Sequence, residues 1–565
     1  MSLPNEENRV NVRIAVIAVA SFAFACSGNG GSSSASTASD GSSGSSATTS
    51  TGSTGTTTST TTTGGGSTSA SGSTGGSSTG SDVTLSWVNT YVPLDGGLVE
   101  GDAGWVQVPM DLTAFTAHAL VLLVDGGYLA INGTTSADGT GIVHNVPDDV
   151  PCFIGAGLTG VITNAHHLDL GTAVMGRPDA EQLPSDGGGP VVTIDLQGLQ
   201  PIDLPSQYVE LVAPNDDFFN FYMQYWLGSA DGGDPTGGTE LAGQVPWSEL
   251  NEASNPVGVD PARGDTLFAM QLATVDAGDN GQTTLMPLVG FADLTGVSIG
   301  AAGANTVSGT LASVAGATPY SVTLPRQPAG AADLGNGATF SYADVNVSAL
   351  PGPSIFGDYA YTADILYANS TVAGSTPWTV NTTFANPYPP SWSVVSALTL
   401  YYSQPMQVNP GPGGTYTAQP EFTYWDTVDH LPATWTPALS PVRNIRINGQ
   451  ASNAPFTGVG LNPVISWDPP TVGQPDYYEV VVNQLEYDAS SQQVLSYFYS
   501  GTYLPPSATQ FTILPGVLSN ATVTPSSRFF VTIIAAKQPG FSLEAPLQGA
   551  FPWESVQSDS NLFAP

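Results

Sequence analysis

Basic residues are the scarcest feature of this 565-residue chain. Nine Lys and Arg, of which Lys537 is the one lysine, stand against 46 Asp and Glu, and the formal net charge is −37. A surface this acidic repels phosphate, so binding to nucleic acid and adsorption to anionic lipid through a basic face are excluded. The carboxylates indicate a well-solvated surface of an exported protein, or alternatively the binding of divalent cations such as Ca²⁺.

Cysteine is almost as rare, with Cys26 and Cys152 as its two occurrences. Two cysteines cannot build the multiple bridges that hold small secreted domains together, so stability has to come from packed cores. Long amphipathic helical patterns with caps are lacking too. The best candidate for one, residues 215–227, is rich in aromatics and has no clean period of 3.6 residues.

The body of the chain is predicted to be all-β. Its 65 glycines and 45 prolines separate short runs of β-branched and aromatic residues. Residues 191–196, 265–272 and 392–402 are examples, and most such runs alternate apolar and polar positions, which is typical of strands. No internal repeat is detectable, which disfavours a propeller or a solenoid. We therefore expect several β-sandwich domains.

The N-terminal region carries the most informative pattern. Residues 14–25 are apolar, which is too short for the roughly 20 residues that span a bilayer but long enough for an export signal. The Ala23-Phe24-Ala25-Cys26 sequence that ends this run resembles the lipobox of bacterial lipoproteins. The resemblance implies cleavage after residue 25 and lipidation of Cys26. It also implies delivery to the outer membrane, because Ser27 rather than Asp follows the cysteine.

An ordinary secretory signal cut near residue 25 is the alternative. It would release the protein from the membrane and leave Cys26 free to pair with Cys152. In either case residues 26–82 are almost entirely Ser, Thr and Gly, which cannot form a core. Such a tether has a root-mean-square reach of about 40 Å. It is interpreted as a spacer, or as a hydroxyl-rich stalk that carries O-linked sugar near residues 56–63.

The remaining length suffices for three or four domains of about 100–200 residues each. The predicted divisions are a signal peptide (1–25), the lipidated cysteine and linker (26–82), a β-sandwich (83–175), an all-β central region of one or two domains (176–440), a C-terminal β-sandwich (441–551) and a tail (552–565).

Two of these divisions resemble known families. Trp467 in a strand over 465–468, followed by the apolar runs 477–482 and 529–535, is similar in order and spacing to a fibronectin type III domain. Tyr478, Val480 and Val482 are expected to share one face, and Val531, Ile533 and Ala535 the face that opposes it. Phe529 stands where that family carries a tyrosine.

Residues 137–147, with Asp138 and Gly139 at a hairpin turn, resemble a carboxypeptidase regulatory-like domain, in which Val146-Pro147 would begin the next strand. The fibronectin type III resemblance implies a spacer or adhesive module without chemistry, and the carboxypeptidase regulatory-like resemblance implies a small β-sandwich of a kind common in exported bacterial proteins.

Two glycine motifs match patterns that are typical of catalytic or cofactor sites. Residues 296–300 fit the nucleophile elbow around Ser298, but a helix should follow the serine and residues 301–310 do not favour one. Residues 155–160 have the glycine spacing of a dinucleotide fingerprint, but the next residues favour a strand. We assign no catalytic residue and no nucleotide cofactor.

Candidate metal ligands are similarly weak. His166 and His167, with Asp169, Asp179 and Glu181 beyond them, form a cluster, but neighbouring residues on a strand point to opposite faces. A surface turn is the preferred interpretation. Two acidic, Gly-rich segments, 276–281 and 231–234 with Glu240, could hold Ca²⁺, although hairpin turns favour the same residues. No metal site is assigned.

The sequence therefore predicts a non-enzymatic lipoprotein of the cell envelope, anchored in the outer membrane and exposed at the surface. Its role would be binding, adhesion or structure, with an extracellular protein or glycan as partner. The alternative is an exported carbohydrate-binding or carbohydrate-active protein that uses the aromatic-rich central region. Its candidate aromatics are Tyr401, Tyr402, Tyr424, Trp425 and Trp435, and no pair of carboxylates can be named as acid and nucleophile.

Overall fold

The computed structural model describes residues 80–565, except for 93–105, 124–126, 149, 157–158, 176, 185–188, 204–206, 215–217, 221–222, 224–226, 228–234, 251–256, 276–281, 336, 351–354, 357–363, 391, 411–412 and 520–522. The signal peptide, Cys26 and nearly all of the tether lie outside these residues. Within them, no helix is long and apolar enough to cross a membrane.

The N-terminal part of the described chain consists of eleven strands. They are β1 (Ser81–Ser86), β2 (Val88–Val92), β3 (Val106–Pro109), β4 (Ala117–Leu122), β5 (Tyr128–Asn132), β6 (Thr134–Thr135), β7 (Thr140–Val146), β8 (Cys152–Ala156), β9 (Thr159–Thr163), β10 (His167–Asp169) and β11 (Ala173–Met175).

The central part adds strands and very short helices. The strands are β12 (Val191–Gln197), β13 (Gln207–Ala213), β14 (Phe218–Asn220), β15 (Glu240–Pro246), β16 (Phe268–Ala273), β17 (Thr283–Asp293), β18 (Asn305–Thr310), β19 (Ala312–Ser313), β20 (Thr318–Leu324), β21 (Thr339–Leu350), β22 (Ile355–Phe356), β23 (Asp364–Ser370), β24 (Trp378–Phe384), β25 (Ser393–Gln407), β26 (Thr415–Ala418) and β27 (Glu421–Thr427). The helices are α1 (Trp247–Leu250) and three 3₁₀ turns (Pro261–Arg263, Ala331–Asp333 and Val428–His430).

The C-terminal part is again all strand. It comprises β28 (Arg443–Ile447), β29 (Gln450–Ala451), β30 (Phe456–Thr457), β31 (Val464–Asp468), β32 (Tyr477–Asp488), β33 (Gln493–Leu504), β34 (Gln510–Thr512), β35 (Arg528–Lys537), β36 (Gly549–Ala550), β37 (Trp553–Asp559) and β38 (Phe563–Ala564). The predicted all-β fold class is therefore confirmed.

One sheet runs through all three parts. Its main path is β5-β4-β8-β9-β33-β32-β35-β37-β27-β25-β21-β23-β17-β16-β13-β14, with short strands paired at its sides, and the described residues contribute twenty strands to it. The step from β9 to β33 is parallel, whereas its other main steps are antiparallel. The N-terminal, central and C-terminal parts are thus joined by backbone hydrogen bonds as well as by their linkers.

Two clusters form the core of the central part. In one, the sheet β15-β12-β18 packs on β13 and β16, with Ile194, Leu211 and Leu241 fully or almost fully buried. In the other, the ribbon β20-β24 packs on β21 and β25, around Val322 and Leu398. The strands β13 and β16 contribute to both clusters and are therefore buried on both faces.

The C-terminal part is a sandwich in which the sheet β29-β28-β31-β34 faces the large sheet. Trp467 on β31 is 2 % exposed, and its ring meets Tyr478 edge to face with 5.5 Å between centroids. One expectation was wrong. Strand β35 pairs directly with β32, and Ile533 lies opposite Val480, so the two apolar sets share one face rather than opposing each other. Alternation shows which residues share a face but not which strands are neighbours.

The N-terminal part contains the predicted hairpin. Asp138 and Gly139 lie in the turn between β6 and β7, where the Asp138 carboxylate accepts a hydrogen bond from the backbone N–H of Thr140 and Gly139 has φ of 76°. Val146 ends β7 and lies opposite Ser81 of β1, so it does not begin a new strand as expected. The core of this part includes Tyr477 and Tyr503 of the C-terminal part.

The segment assigned in the sequence to a C-terminal tail is an interior part of the fold. Residues 553–559 form β37, which lies between β27 and β35, and Ser555, Val556 and Ser558 are fully buried. Phe563 of β38 packs in the same core as Trp467. The last strand of the C-terminal sandwich thus lies beyond residue 551.

Candidate functional site

The structure places both glycine motifs on strands or turns. Ser298 is exposed, and its neighbour Ile299 bridges to Val259 across an isolated antiparallel pair. A bend and then β18 follow it, so no helix completes a nucleophile elbow. Gly155 and Gly160 lie opposite each other in the β8–β9 hairpin, and the described residues of this hairpin are strands, with no helix among them to face a pyrophosphate.

The histidine cluster is dispersed by its local contacts. His166 lies 3.3 Å from a carboxylate oxygen of Asp148, whereas the ring of His167 contacts the Thr84 hydroxyl at 3.0 Å. Asp169 accepts hydrogen bonds from the Gly171 backbone and the Gln548 amide. Among the described residues no group of three His, Cys, Asp or Glu side chains is placed to hold a metal ion.

Asp179 belongs to a separate ion-pair network. It contacts Arg177 and Arg263, while Arg177 also makes a two-point contact to the buried carboxylate of Asp265, at 2.8 and 2.7 Å. This carboxylate also accepts the backbone N–H of Asp260 at 2.7 Å. The network links the loop segments that contain Arg177 and Arg263. The Asp179 carboxylate is thus paired with arginine rather than placed beside the histidines.

The acidic segments 231–234 and 276–281 lie outside the described residues. Glu240 begins β15, where it lies opposite Gln197 of β12. Its predicted role beside residues 231–234 stays a prediction.

Cys152 is 1 % exposed in the N-terminal core, and burial raises the pKa of its thiol to about 11.

The five candidate aromatics lie on two faces of the large sheet. Tyr402, Tyr424 and Trp435 belong to the core between that sheet and the β20-β24 ribbon, with Tyr424 and Trp435 stacked. Tyr401 and Trp425 alternate with them and point to the other side. The five therefore do not form one platform.

That other side of the sheet carries a feature that the sequence did not reveal. Three of the carboxyl groups buried on this face lie within the four consecutive strands β27, β37, β35 and β32. We call them the carboxyl row: Glu421 on β27, Asp559 on β37 and Glu479 on β32, which are 2 %, 4 % and 5 % exposed. The strand register aligns Glu421 and Glu479 across the sheet. Gln557, which bonds to Glu421, lies opposite Ile534 of β35, and Ile534 lies opposite Glu479.

Glu421 is held by neutral groups. Its Oε1 accepts a hydrogen bond from the Gln557 amide at 2.7 Å and from the Thr423 hydroxyl at 3.1 Å. Burial raises the pKa of its carboxyl to about 8, and the nearby carboxyls of Asp344 and Asp559 act in the same direction. Such a group keeps its proton at neutral pH, because an ionised carboxylate is costly to bury without a counter-charge.

The other two members behave alike. Burial raises the pKa of Asp559 to about 7, against the opposing effect of the Thr532 hydroxyl, which donates to it at 2.6 Å. Burial also raises the pKa of Glu479 to about 8. The three groups can therefore bind or release protons in the neutral range. Since they are at most 5 % exposed, a dissolved substrate cannot reach them in this conformation.

A sequence signal for one member existed. Glu479 is a charged residue within the apolar run 477–482, where both faces of the strand should be buried. Glu421 alternates with apolar residues and gave no such signal, because the solvent face of an ordinary strand would look the same.

No protein-family model and no curated protein matches the chain. Among solved structures it is similar to the native conformation of E. coli alpha-2-macroglobulin, with 10% identity and a TM-score of 0.13, over 81% of this chain but 27% of the macroglobulin. It is also similar to a tetra-tandem repeat from the extending region of a large adhesion protein, with 10% identity and a TM-score of 0.09, over 84% of this chain and 98% of that one. At these TM-scores neither likeness carries an argument.

Proposed function

We propose that this protein is a lipid-anchored component of the bacterial cell envelope, held at the outer membrane and exposed at the surface, with a non-enzymatic binding, adhesive or structural role. The observation that carries the proposal is the position of Cys26, directly after the apolar run 14–25 and directly before the Ser/Thr/Gly tether. An acyl chain on Cys26 and a flexible tether would hold a folded body clear of a membrane.

The folded body supports this role in two ways. Its parts share one sheet, which favours a stiff body, and several arginines of the described residues form local ion pairs, such as Arg446 with Asp468 at 3.1 Å. The acidic surface that remains resists non-specific association. The C-terminal sandwich, with Trp467 packed against Tyr478, is the best candidate for an adhesive or spacer module similar to fibronectin type III domains.

We expect Cys26→Ser to move the protein from the membrane fraction to the soluble fraction, because the thioether-linked lipid would be its membrane attachment. The measurement is fractionation of cells that express the full chain, with intact-mass analysis of the detergent extract. Wild type should begin at residue 26 and carry the added mass of acyl chains. Cys152→Ser is the matched control, since the Cys152 thiol is buried, and it should leave the protein in the membrane. A Cys26→Ser protein that stays in the membrane fraction would contradict the proposal.

A second candidate function is carbohydrate binding. It is favoured by Tyr342 and Tyr401, which stack with 4.4 Å between ring centroids on the side of the sheet that holds Glu421. Tyr401 is 7 % exposed and Tyr342 is half-buried, so Tyr342 is the ring of this pair that a sugar could reach. A glycan array probed with the mature protein tests it, and binding that is lost in Tyr342→Ala would favour this candidate over a protein partner. Silence across many polysaccharides would count against it.

A further inference from the structure

Strand β33 has an open edge over its first half. On one side it pairs with β32 along its length, whereas on the other side β9 pairs with it at Thr502 and Tyr503. Among the described residues, no strand pairs with 493–499 on that second side. Backbone N–H and C=O groups of an edge strand point outward, and an added strand can bond to them.

This edge lacks the features that usually protect one. Native edge strands are guarded by charged side chains, proline or bulges. Residues 493–499 read Gln-Val-Leu-Ser-Tyr-Phe-Tyr, with no charge and no proline, and are rich in residues that favour strands. Leu495 is 39 % exposed and Tyr497 is 45 % exposed. An apolar, uncharged edge of this kind indicates a surface on which a further strand can pair.

The strand is held in place before any partner arrives. Val494, which alternates with Leu495, packs against the buried cluster that contains Met406 and Phe530. At the tip of the β32–β33 hairpin, the Asp488 carboxylate accepts the Ser490 hydroxyl at 2.7 Å. Because the edge is already ordered, a partner would lose little free energy in shaping it.

Charge favours a cationic occupant. Leu495 lies opposite Glu486 and Gln493 lies opposite Asp488, so both carboxylates project from the face that carries Leu495 and Tyr497. A lysine or arginine of an added strand could therefore meet these carboxylates and the exposed ring of Tyr497.

The same charges disfavour a second copy of this chain as the occupant. The hairpin over 477–504 contains no lysine or arginine, and Arg528 of β35 lies opposite Leu485, on the other face. Two copies that paired through this edge would bring like charges together, and each chain carries a formal net charge of −37. The cation has to come from another protein.

We propose that the open edge of β33 is a docking site for an extended segment of another protein that bears lysine or arginine and pairs with residues 493–499 as an added strand. The inference rests on the binding role proposed above and gives that role a surface and a class of partner. It does not depend on the lipid at Cys26, so either result can fail without the other.

A fluorescein-labelled peptide in which Lys and Val alternate is the probe, and its anisotropy measures binding to the full chain. The peptide should bind, and it should protect 493–499 from hydrogen–deuterium exchange. The matched control is the same peptide with alternate backbone nitrogens methylated, which keeps every charge but cannot pair as a strand. Equal binding of both peptides, or protection that does not include 493–499, would show electrostatic adsorption alone and overturn the proposal.

Variants locate the site. Tyr497→Ala, which removes an exposed ring, should weaken binding of the unmethylated peptide by about fivefold. Glu486→Gln should weaken it as well, whereas Glu544→Gln, an exposed glutamate of the same part of the chain, should leave it unchanged. Equal effects of the two glutamate variants would contradict the assignment. The comparison of the two peptides on wild type stands by itself if a variant fails to fold.

Sedimentation of the full chain without peptide tests the rival occupant. The protein should show no association that depends on Tyr497. A dimer that forms in wild type and is lost in Tyr497→Ala would assign the edge to a second copy and overturn the proposal.

Discussion

Raising the pH from 5 to 8 is expected to destabilise the whole protein strongly. The folded-state pKa values of Glu421 and Glu479 are raised to about 8 and that of Asp559 to about 7, whereas all three groups ionise near pH 4 in the unfolded chain. Between these limits the folded state binds more protons than the unfolded state. The stability that these groups contribute is therefore complete below pH 4 and is lost as pH rises through 7 and 8.

The expected size is on the order of 3 kcal/mol for each of the three groups over this range. Urea unfolding at pH 5, 6, 7 and 8 measures it, and the midpoint should fall at each step. Asp488→Asn is the control, because Ser490 and Ser491 donate to this exposed carboxylate and hold its pKa at about 2. Its titration is complete below pH 4, so the variant should show the wild-type slope. Stability that stays constant or rises between pH 5 and 8 would contradict the expectation.

Trp467→Ala is expected to lower the free energy of unfolding by about 3–5 kcal/mol, which is the usual cost of removing a fully packed tryptophan. Trp467 is 2 % exposed at the centre of the C-terminal sandwich, and the vacated space would be lined by Tyr478 and its neighbours, which cannot collapse without breaking the sheet. Trp467→Phe should cost less, because it leaves a smaller cavity.

Tyr497→Ala serves as the matched control for Trp467→Ala. Tyr497 is an aromatic residue of the same part of the chain, but it is 45 % exposed on β33. Its removal should change the unfolding free energy by no more than about 0.5 kcal/mol. Because the core around Trp467 includes Leu120 and Phe153 of the N-terminal part, Trp467→Ala should also lower the protection of β4 and β8 from hydrogen exchange. A variant that destabilises only residues 443–537 would show that the two parts unfold independently.

The sequence predicted strands well where one face of a strand meets solvent. Residues 191–196 alternate, and β12 shows alternating burial in the structure. The same rule did not describe residues 268–273 or much of β25, which are buried on both faces by layers that are distant in sequence. Local pattern records the polarity of each position, but it does not record how many layers the fold will stack on it.

Strand β37 could not be predicted for a related reason. Its sequence, Trp553-Glu-Ser-Val-Gln-Ser-Asp559, is mostly polar and follows a proline, which is typical of a tail. In the structure β27 and β35 pair with β37 on both sides and accept its backbone into the sheet, and Ser555 and Ser558 are fully buried. The carboxyl row was hidden in the same way. Glu421, Asp559 and Glu479 lie on separate strands of the chain, and only the order of strands in the sheet places β37 beside β27 and places β32 two strands beyond β37.

The pairing between the N-terminal and C-terminal parts of the sheet limits how fast this chain can fold. The Tyr128 hydroxyl donates to the carbonyl of Thr512 across 384 residues, and β9 pairs with β33 over a similar span. Pairings between residues so far apart in sequence form slowly, because the entropy of closing a long loop is lost before the stabilising contacts form. A nascent chain that finishes its sheet late stays extended for longer. If the protein is exported, as we propose, slow pairing would extend the time during which the chain can still pass through a membrane channel.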